Sequence, residues 1–310
     1  MIVNSLNIEL PIGESFKIRK NRYFDTNQEI PSQKRASIVS GIHGDELEGQ
    51  YVCYLLCEWL NSNQDKIKGI IDIYPALNSL GVDSITRSIP FYNVDLNRVF
   101  PGSKEDFLPA QIADAIIEEI SGSAIAIDIH SSNIFLREIP QIRMSQEYSK
   151  ELLPMAKTLG IDFVWIHDAV TVLESTFAHS MNSRGTKTLV VEMGVGMRIT
   201  QEYGINLVEG IKNLLAKEGI LDIEQKELKK PIISENGKVF YINSDSAGLF
   251  VPTLSHCDSV KKGDLVGKIV SPINGTVEQS IYSPADGILF TLREYPIVYE
   301  GSLIARIFGE

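Results

Sequence analysis

The chain has 310 residues, a formal net charge of −11, 44% hydrophobic residues and 22% charged residues. That length accommodates one large α/β domain plus a smaller one, with a substantial core, and the composition is ordinary for a globular protein. The acid excess argues against unselective binding to nucleic acid or to an anionic membrane, although a few arginines can still make a pocket locally positive.

Residues 1–35 are mixed, with strand-like stretches such as FKIRKNRYF. The opening MIVNSLNIELPIGES has no basic n-region and no continuous apolar core, and no apolar run nears the roughly 18 residues that span a bilayer. The three cysteines, Cys53, Cys57 and Cys257, suggest no disulfide framework. A reducing, cytoplasmic location is therefore the expectation.

From residue 36 the pattern alternates. ASIVSGI reads as a buried strand, and ELEGQYVCYLLCEWLNS as an amphipathic helix with Cys53 and Cys57 as core thiols on one face. GIIDIYPAL is a second strand. Residues 79–104 hold Gly81, Pro90, Pro101 and Gly102 with little periodicity, and a loop that long inside a compact domain is usually functional. AQIADAIIEEISG is a helix with a glycine stop. AIAIDIH, IDFVWIH, a helix near 172–183, TKTLVVEMG and the helix EYGINLVEGIKNLLAKEGIL continue the alternation. The sum is a layered α/β domain with a largely parallel or mixed sheet. DIEQKELKKP (222–231) reads as a linker, and 232–310 as short β runs broken by turns such as KKGD, INGT and PADG. The expected division is a catalytic domain over 1–225 and a small all-β domain over 226–310.

In an open α/β sheet, ligands bind beyond the carboxyl ends of strands. Three stretches put polar residues there: GIHGDE, DIHSS and VEMG. His43 and Glu46 are three apart, so on a helical turn they share a face and can meet one ion. Alone, that spacing is as easily a cap or a solvated turn. His130 ends its strand at the same sheet edge and completes a His-Glu-His set, a donor combination that holds zinc and leaves a position for water. Asp128 either orients a ligand histidine or faces a polar patch. Asp45 and Glu48 read as first-turn acids complementing the helix dipole. Gly41 and Gly44 read as the residues that let the backbone turn tightly. Glu192 ends an apolar strand, where a carboxylate is exposed, paired or functional; near an activated water it can carry a proton as general base. Arg87 and Arg98 either grip substrate oxygens or staple the loop through Asp83 or Asp95.

Taken in order, GIHGDELEG, TR…DLNRVFPG, DIHSS and VEMG resemble the succinylglutamate desuccinylase/aspartoacylase family, a branch of the zinc carboxypeptidase fold. The similarity covers most of the chain. It implies a three-layer α/β/α domain with a mixed sheet, then a small barrel-sandwich-like β domain. It also implies an amidohydrolase with one Zn2+ per subunit that removes an acyl group from an N-acyl amino acid or related small amine. On the matching positions, His43, Glu46 and His130 are implied as zinc ligands and Glu192 as the glutamate that activates water. Arg87 is implied to polarise the scissile carbonyl, and Asn97 with Arg98 to grip a substrate carboxylate. Arg184, in NSRGTK, is implied as a further substrate-side arginine.

The chain departs from the family pattern in two places. The stretch between Arg87 and DLNR is longer than in the aspartoacylase pattern, and the family's C-terminal tyrosine has no single counterpart, with Tyr295 and Tyr299 both candidates. The C-terminal segment also resembles half-motifs of biotinyl/lipoyl-type β domains, but its turn, VSPINGT, has no lysine to carry a cofactor. That domain is expected to cover one side of the site and restrict it to small substrates. No nucleic-acid or membrane partner is expected, and a homo-oligomer is left open. The rival readings are a metallocarboxypeptidase acting on peptides and a non-catalytic metal-containing binding protein.

Overall fold

The computed structural model describes residues 1–167 and 174–309. In chain order the first part contains β1 (Ile2–Glu9), β2 (Ser15–Phe24), β3 (Arg35–Ser40), α1 (Glu48–Ser62), β4 (Ile70–Tyr74), α2 (Ser79–Ser84), α3 (Leu108–Ile120), β5 (Ile125–His130), β6 (Leu136–Ser145), α4 (Gln146–Ala156), β7 (Phe163–His167), α5 (Phe177–Ser183), β8 (Lys187–Gly194) and α6 (Gln201–Lys217). The last part is β9 (Ile232–Ile233), β10 (Lys238–Asn243), β11 (Gly248–Pro252), β12 (Ser259–Val260), β13 (Leu265–Val270), β14 (Val277–Tyr282), β15 (Gly287–Arg293), β16 (Ile297–Val298) and β17 (Leu303–Gly309).

The main sheet runs β1-β2-β4-β3-β5-β8-β6-β15-β17-β10. It is mixed: β3 is parallel to β4 and β5, and β5 to β8, while β6 runs antiparallel to β8 and to β15. The central strands β3 and β5 are buried almost throughout, as expected for parallel strands covered on both faces. Their side chains alternate between two cores. Ile38, Ile127, Leu189 and Val191 share one cluster with Val52, Leu56 and Leu60 of α1 and Ile211 and Leu214 of α6. Val39 and Ala126 share the other with Ile112, Ile116 and Ile120 of α3 and Phe177 of α5. Helices on both faces make the three layers. Each fully buried Leu or Ile contributes on the order of 1.5–3 kcal/mol relative to exposure.

Strand alternation positions the site. In β5 and β8 the odd-numbered residues enter the α1/α6 core, so Asp128, His130, Thr188, Val190 and Glu192 project from the opposite face.

The strand β6 and the helix α4 escape a reading of the sequence because each holds a proline. Pro140 sits where the β6–β8 register shifts between Glu138 and Gln141, a bulge that tolerates a missing N–H. Pro154 lies in the last turn of α4. Of the helix expected near 172–183, residues 172 and 173 lie outside the described residues, and α5 takes up Phe177–Ser183 of the remainder. The aperiodic 79–104 segment includes the short α2. Cys53 is buried and Cys57 half-buried. Among the described residues, no helix is long and apolar enough to cross a membrane.

The stretch 222–231 has no regular structure but is strapped to α6: the Asn213 side chain exchanges two hydrogen bonds with the Lys226 backbone, at 2.7 and 2.9 Å. Beyond it the described chain is strands with one short 3-10 turn. β15, β17 and β10 extend the main sheet, with Thr291 opposite Glu138 at the junction. β11, β13, β14 and β16 form a separate antiparallel sheet, and both sheets enclose a core that includes Phe250, Val266, Leu289 and Ile307.

Candidate active site

The chain leaves β3 through Gly41, at φ 66°, a conformation that favours glycine. Gly44 packs so closely on α2 that a Cβ would lie 1.9 Å from the Gly81 carbonyl carbon. Both glycines thus fix the turn that carries His43 and Glu46. That turn precedes α1, which starts at Glu48 rather than at Glu46. His43 Nδ1 lies 2.8 Å from Glu46 Oε1, and His130 Nδ1 lies 3.0 Å from Glu46 Oε2. All three residues are buried, and one donor atom from each lies within 4.8 Å of the others.

Each imidazole turns its other nitrogen to a carboxylate. His43 Nε2 is 2.9 Å from Asp95 Oδ1, and His130 Nε2 is 3.0 Å from Asp128 Oδ2. Such outer carboxylates fix ring orientation and strengthen a ligand nitrogen. Asp128 is therefore engaged with a histidine, not facing a loose polar patch.

Burial opposes protonation of both rings. Glu46 and Asp95 outweigh it for His43, and Asp128 and Glu46 for His130, so both pKa values rise, that of His130 well above the usual range. Glu46 goes the other way: burial opposes its ionisation, but the charges of His43 and His130 hold its pKa low. The carboxylates around the two imidazoles thus favour positive charge at this point, whether as protons on the rings or as a bound cation. His43 Nδ1 is buried and, although 2.8 Å from Glu46 Oε1, has no aligned hydrogen-bond partner. Two imidazole nitrogens and one carboxylate fit a divalent metal such as zinc.

Arg87 Nη1 donates to Glu46 Oε1 at 2.9 Å and its Nε to Asp95 Oδ2 at 3.3 Å. It pairs with Asp95 and Glu46, not Asp83. Asn97 Oδ1 accepts from the Phe177 amide at 2.9 Å, and Arg98 Nη1 donates to the Asn97 carbonyl at 2.7 Å. Glu192 is the register partner of His130 across β5 and β8. Burial pushes its pKa up, and the nearby Arg143 guanidinium counters this.

His43, Glu46, Arg87, Asn97, Arg98, His130 and Glu192 all line one cavity of about 500 Å3. Arg184 does not: it follows α5, is exposed, and pairs with Glu118 on α3 at 2.7 Å. Asn182 lines the cavity instead, locked by two hydrogen bonds with the Thr188 backbone. Tyr295 and Tyr299 are both exposed and outside the lining, and from the C-terminal segment it is Arg306 that reaches the cavity.

Two acids of the opening motif also differ from expectation. Glu48 is fully buried, and its two carboxylate oxygens accept from the Thr200 amide, each at 2.9 Å. It joins the start of α1 to the start of α6 and is no solvated first-turn acid. Asp45 is half-buried, and burial and then the Glu46 charge push its pKa up.

Among the lining residues that the sequence reading did not single out are Asp95 as a histidine partner, Glu138, Arg143 and Arg306. For the last three the available signal was ionisable residues inside strand-like apolar runs, LREIPQIRMS and LIARIF, which must be paired if buried.

The mixed sheet between helix layers, with this buried His-Glu-His group at its strand ends, is a zinc-carboxypeptidase-like architecture. Within that class the chain belongs to the succinylglutamate desuccinylase/aspartoacylase family: the family model of the succinylglutamate desuccinylase/aspartoacylase catalytic domain matches residues 32–217. A curated relative, the N-alpha-acetyl-L-2,4-diaminobutyric acid deacetylase of Halomonas elongata, is 26% identical over 280 residues, covering 88% of this chain and 81% of the relative. Among solved structures, the product-bound ectoine utilization protein EutE (DoeB) from Ruegeria pomeroyi superposes with a TM-score of 0.82 at 19% identity, covering 96% of this chain and 90% of that one. A succinylglutamate desuccinylase/aspartoacylase from Rhodobacter sphaeroides gives a TM-score of 0.82 at 21% identity, covering 98% and 93%. These likenesses are of fold.

Proposed function

We propose that the protein is a zinc-dependent deacylase that hydrolyses the amide bond of a small N-acyl amino acid. The observation that carries the reading is one cavity that collects a His-Glu-His group, the Glu192 carboxylate and, among its arginines, Arg87 and Arg98.

His43, Glu46 and His130 would hold the ion, with Asp95 and Asp128 orienting the rings. When bound, zinc supplies Lewis acidity and brings the pKa of water towards about 7. Glu192 takes the proton from the attacking water and returns it to the departing nitrogen. Arg87, at the edge of the ligand group, stabilises negative charge developing on the carbonyl oxygen. Asn97 and Arg98 hold the substrate carboxylate, which fixes the scissile bond relative to Glu192. Glu174, an exposed carboxylate at the same cavity, would suit a substrate side chain that carries an ammonium. The diaminobutyric acid deacetylase relative makes Nα-acetyl-2,4-diaminobutyrate the first substrate to try.

The peptide carboxypeptidase reading is less favoured, because Arg306 of the C-terminal segment borders the cavity and favours a small substrate. The test is turnover of a panel of N-acyl amino acids by the zinc-loaded protein and by Glu192→Gln. Near-native turnover in the zinc-loaded variant would sink the general-base role. A chain that purifies without divalent metal and stays inert with added zinc would favour the binding-protein reading.

A further inference from the structure

Glu138 lies on β6, next to β8, and is 1% exposed. A carboxylate so far from water is costly unless donors replace its hydration. Four side chains do so: Gln141 Nε2 at 2.9 Å, Arg143 Nη2 at 3.0 Å, the Thr291 hydroxyl at 2.5 Å and Arg306 Nη1 at 2.8 Å. Gln141 and Arg143 belong to β6, whereas Thr291 and Arg306 come from β15 and β17. One buried carboxylate therefore gathers donors from both sides of the junction where the C-terminal strands join the main sheet.

The two arginines are held a second time. The Arg143 and Arg306 guanidinium groups each lie 5.4 Å from the Trp165 ring centroid, and Arg306 lies 5.6 Å from that of Tyr241. Stacking of a planar guanidinium restricts its rotation as well as its position. Arg143 then presents Nη1 3.5 Å from Glu192 Oε1, longer than a tight ion pair. Glu138, Arg143, Glu192 and Arg306 all line the cavity. Glu138 thus competes with Glu192 for the same guanidinium. With Glu138 neutral, Glu192 becomes the nearest carboxylate to Arg143 and would be drawn into a closer pair that occupies the oxygen needed to take a proton.

We propose that Glu138 is a positioning residue for the hydrolysis: it holds Arg143 at a fixed distance from Glu192 and, through Arg306, makes the last strand part of the site. The role rests on the deacylase reading. Wild-type turnover of at least one N-acetyl amino acid by the zinc-loaded full chain checks that reading separately, and its absence overturns both.

With turnover present, Glu138→Gln is expected to lower kcat about 10–100-fold, the usual cost of losing a group that orients a site residue, with KM changed less than about 3-fold. Zinc content should be unchanged. Because Glu138 acts through Arg143, the losses in Glu138→Gln and Arg143→Met should not add in the double variant. Unchanged kcat in folded, zinc-loaded Glu138→Gln overturns the proposal, and so do additive losses. If Glu138→Gln does not fold, Arg306→Met, which removes one cation and no carboxylate, should still lower kcat with KM held. An Arg306→Met enzyme with wild-type kcat also overturns it.

Discussion

His130 and Glu192 are register partners on the neighbouring parallel strands β5 and β8, so their side chains leave the same face of the sheet. Parallel pairing, not sequence proximity, puts a candidate ligand beside the candidate base, and a slip of one strand by one residue would turn its own member of the pair into the opposite core and separate the two.

Activity should fall away on the acid side at higher pH than an ordinary glutamate would set. Burial raises the Glu192 pKa and Arg143 lowers it. A general base works ionised, so kcat/KM should rise with pH through that raised value. Arg143→Met removes the lowering charge and should move the acid limb of the kcat/KM profile to still higher pH. A limb that moves down contradicts this arrangement.

Removing the metal should abolish turnover, and zinc should restore it. Asp128→Asn leaves the three candidate ligands in place but removes the negative charge facing His130 Nε2, and should weaken metal binding or activity about 10–100-fold. Competition with a chelator of known affinity measures the change.

Arg98 and Arg184 should behave oppositely. Arg98→Met should raise KM for a carboxylate substrate by about tenfold or more, since a charge-assisted contact is worth about 1.5–3 kcal/mol. Arg184→Ala removes only an exposed pair with Glu118 and should leave KM and kcat near wild type, with little change in stability. Steady-state kinetics on the same substrate decides both.

Acid should destabilise the fold in part through Asp72. This fully buried carboxylate accepts from Lys20 at 3.0 Å and from Arg22 at 2.7 and 2.6 Å. Burial raises its pKa, but the Arg22 hydrogen bonds and the Lys20 charge outweigh this and hold it below the usual value. A depressed folded-state pKa means the stabilisation is complete above the unfolded value near pH 4 and is lost as pH falls through the folded one. Asp72→Asn should cost about 1.5–3 kcal/mol at neutral pH, since Arg22 loses its carboxylate partner while Lys20 keeps Glu119, and should flatten the stability profile below about pH 4. Denaturant titrations across pH test it.

Gly44→Ala should damage the site as well as the fold. The added Cβ would meet α2 backbone at Gly81, which cannot yield as a side chain can. The turn must then shift and carry His43 with it, so metal affinity should drop more than in an alanine substitution at exposed Gly122, whose Cβ meets nothing within 4 Å. Metal binding by the two variants gives the comparison.

Much of the site is legible in the chain because its chemistry is short-range in sequence. His43 and Glu46 share one turn, Asp128 and His130 one strand, and Asn97 and Arg98 one loop. The strand ends at His130 and Glu192 are marked by the sudden change from an apolar run to an ionisable residue. The β6–α4 region is not legible, since Pro140 and Pro154 mask a strand and a helix whose interruptions the tertiary structure absorbs at a bulge and in a last turn. Arg184 illustrates the opposite error: its position in the chain suits a substrate contact, but it follows α5 on the side where Glu118 lies.

The sequence by itself determined the alternation of elements, the family and the candidate ligand set, because these depend on local periodicity and on residue types set at strand ends. Only the tertiary structure decided the partners: Asp95 on His43, Thr200 on Glu48, and the Glu138 junction that brings Arg306 into the cavity. Those pairings join residues between 52 and 168 positions apart. They exist because a buried charge must find an opposite charge or a donor wherever the packing of strands and helices happens to bring one.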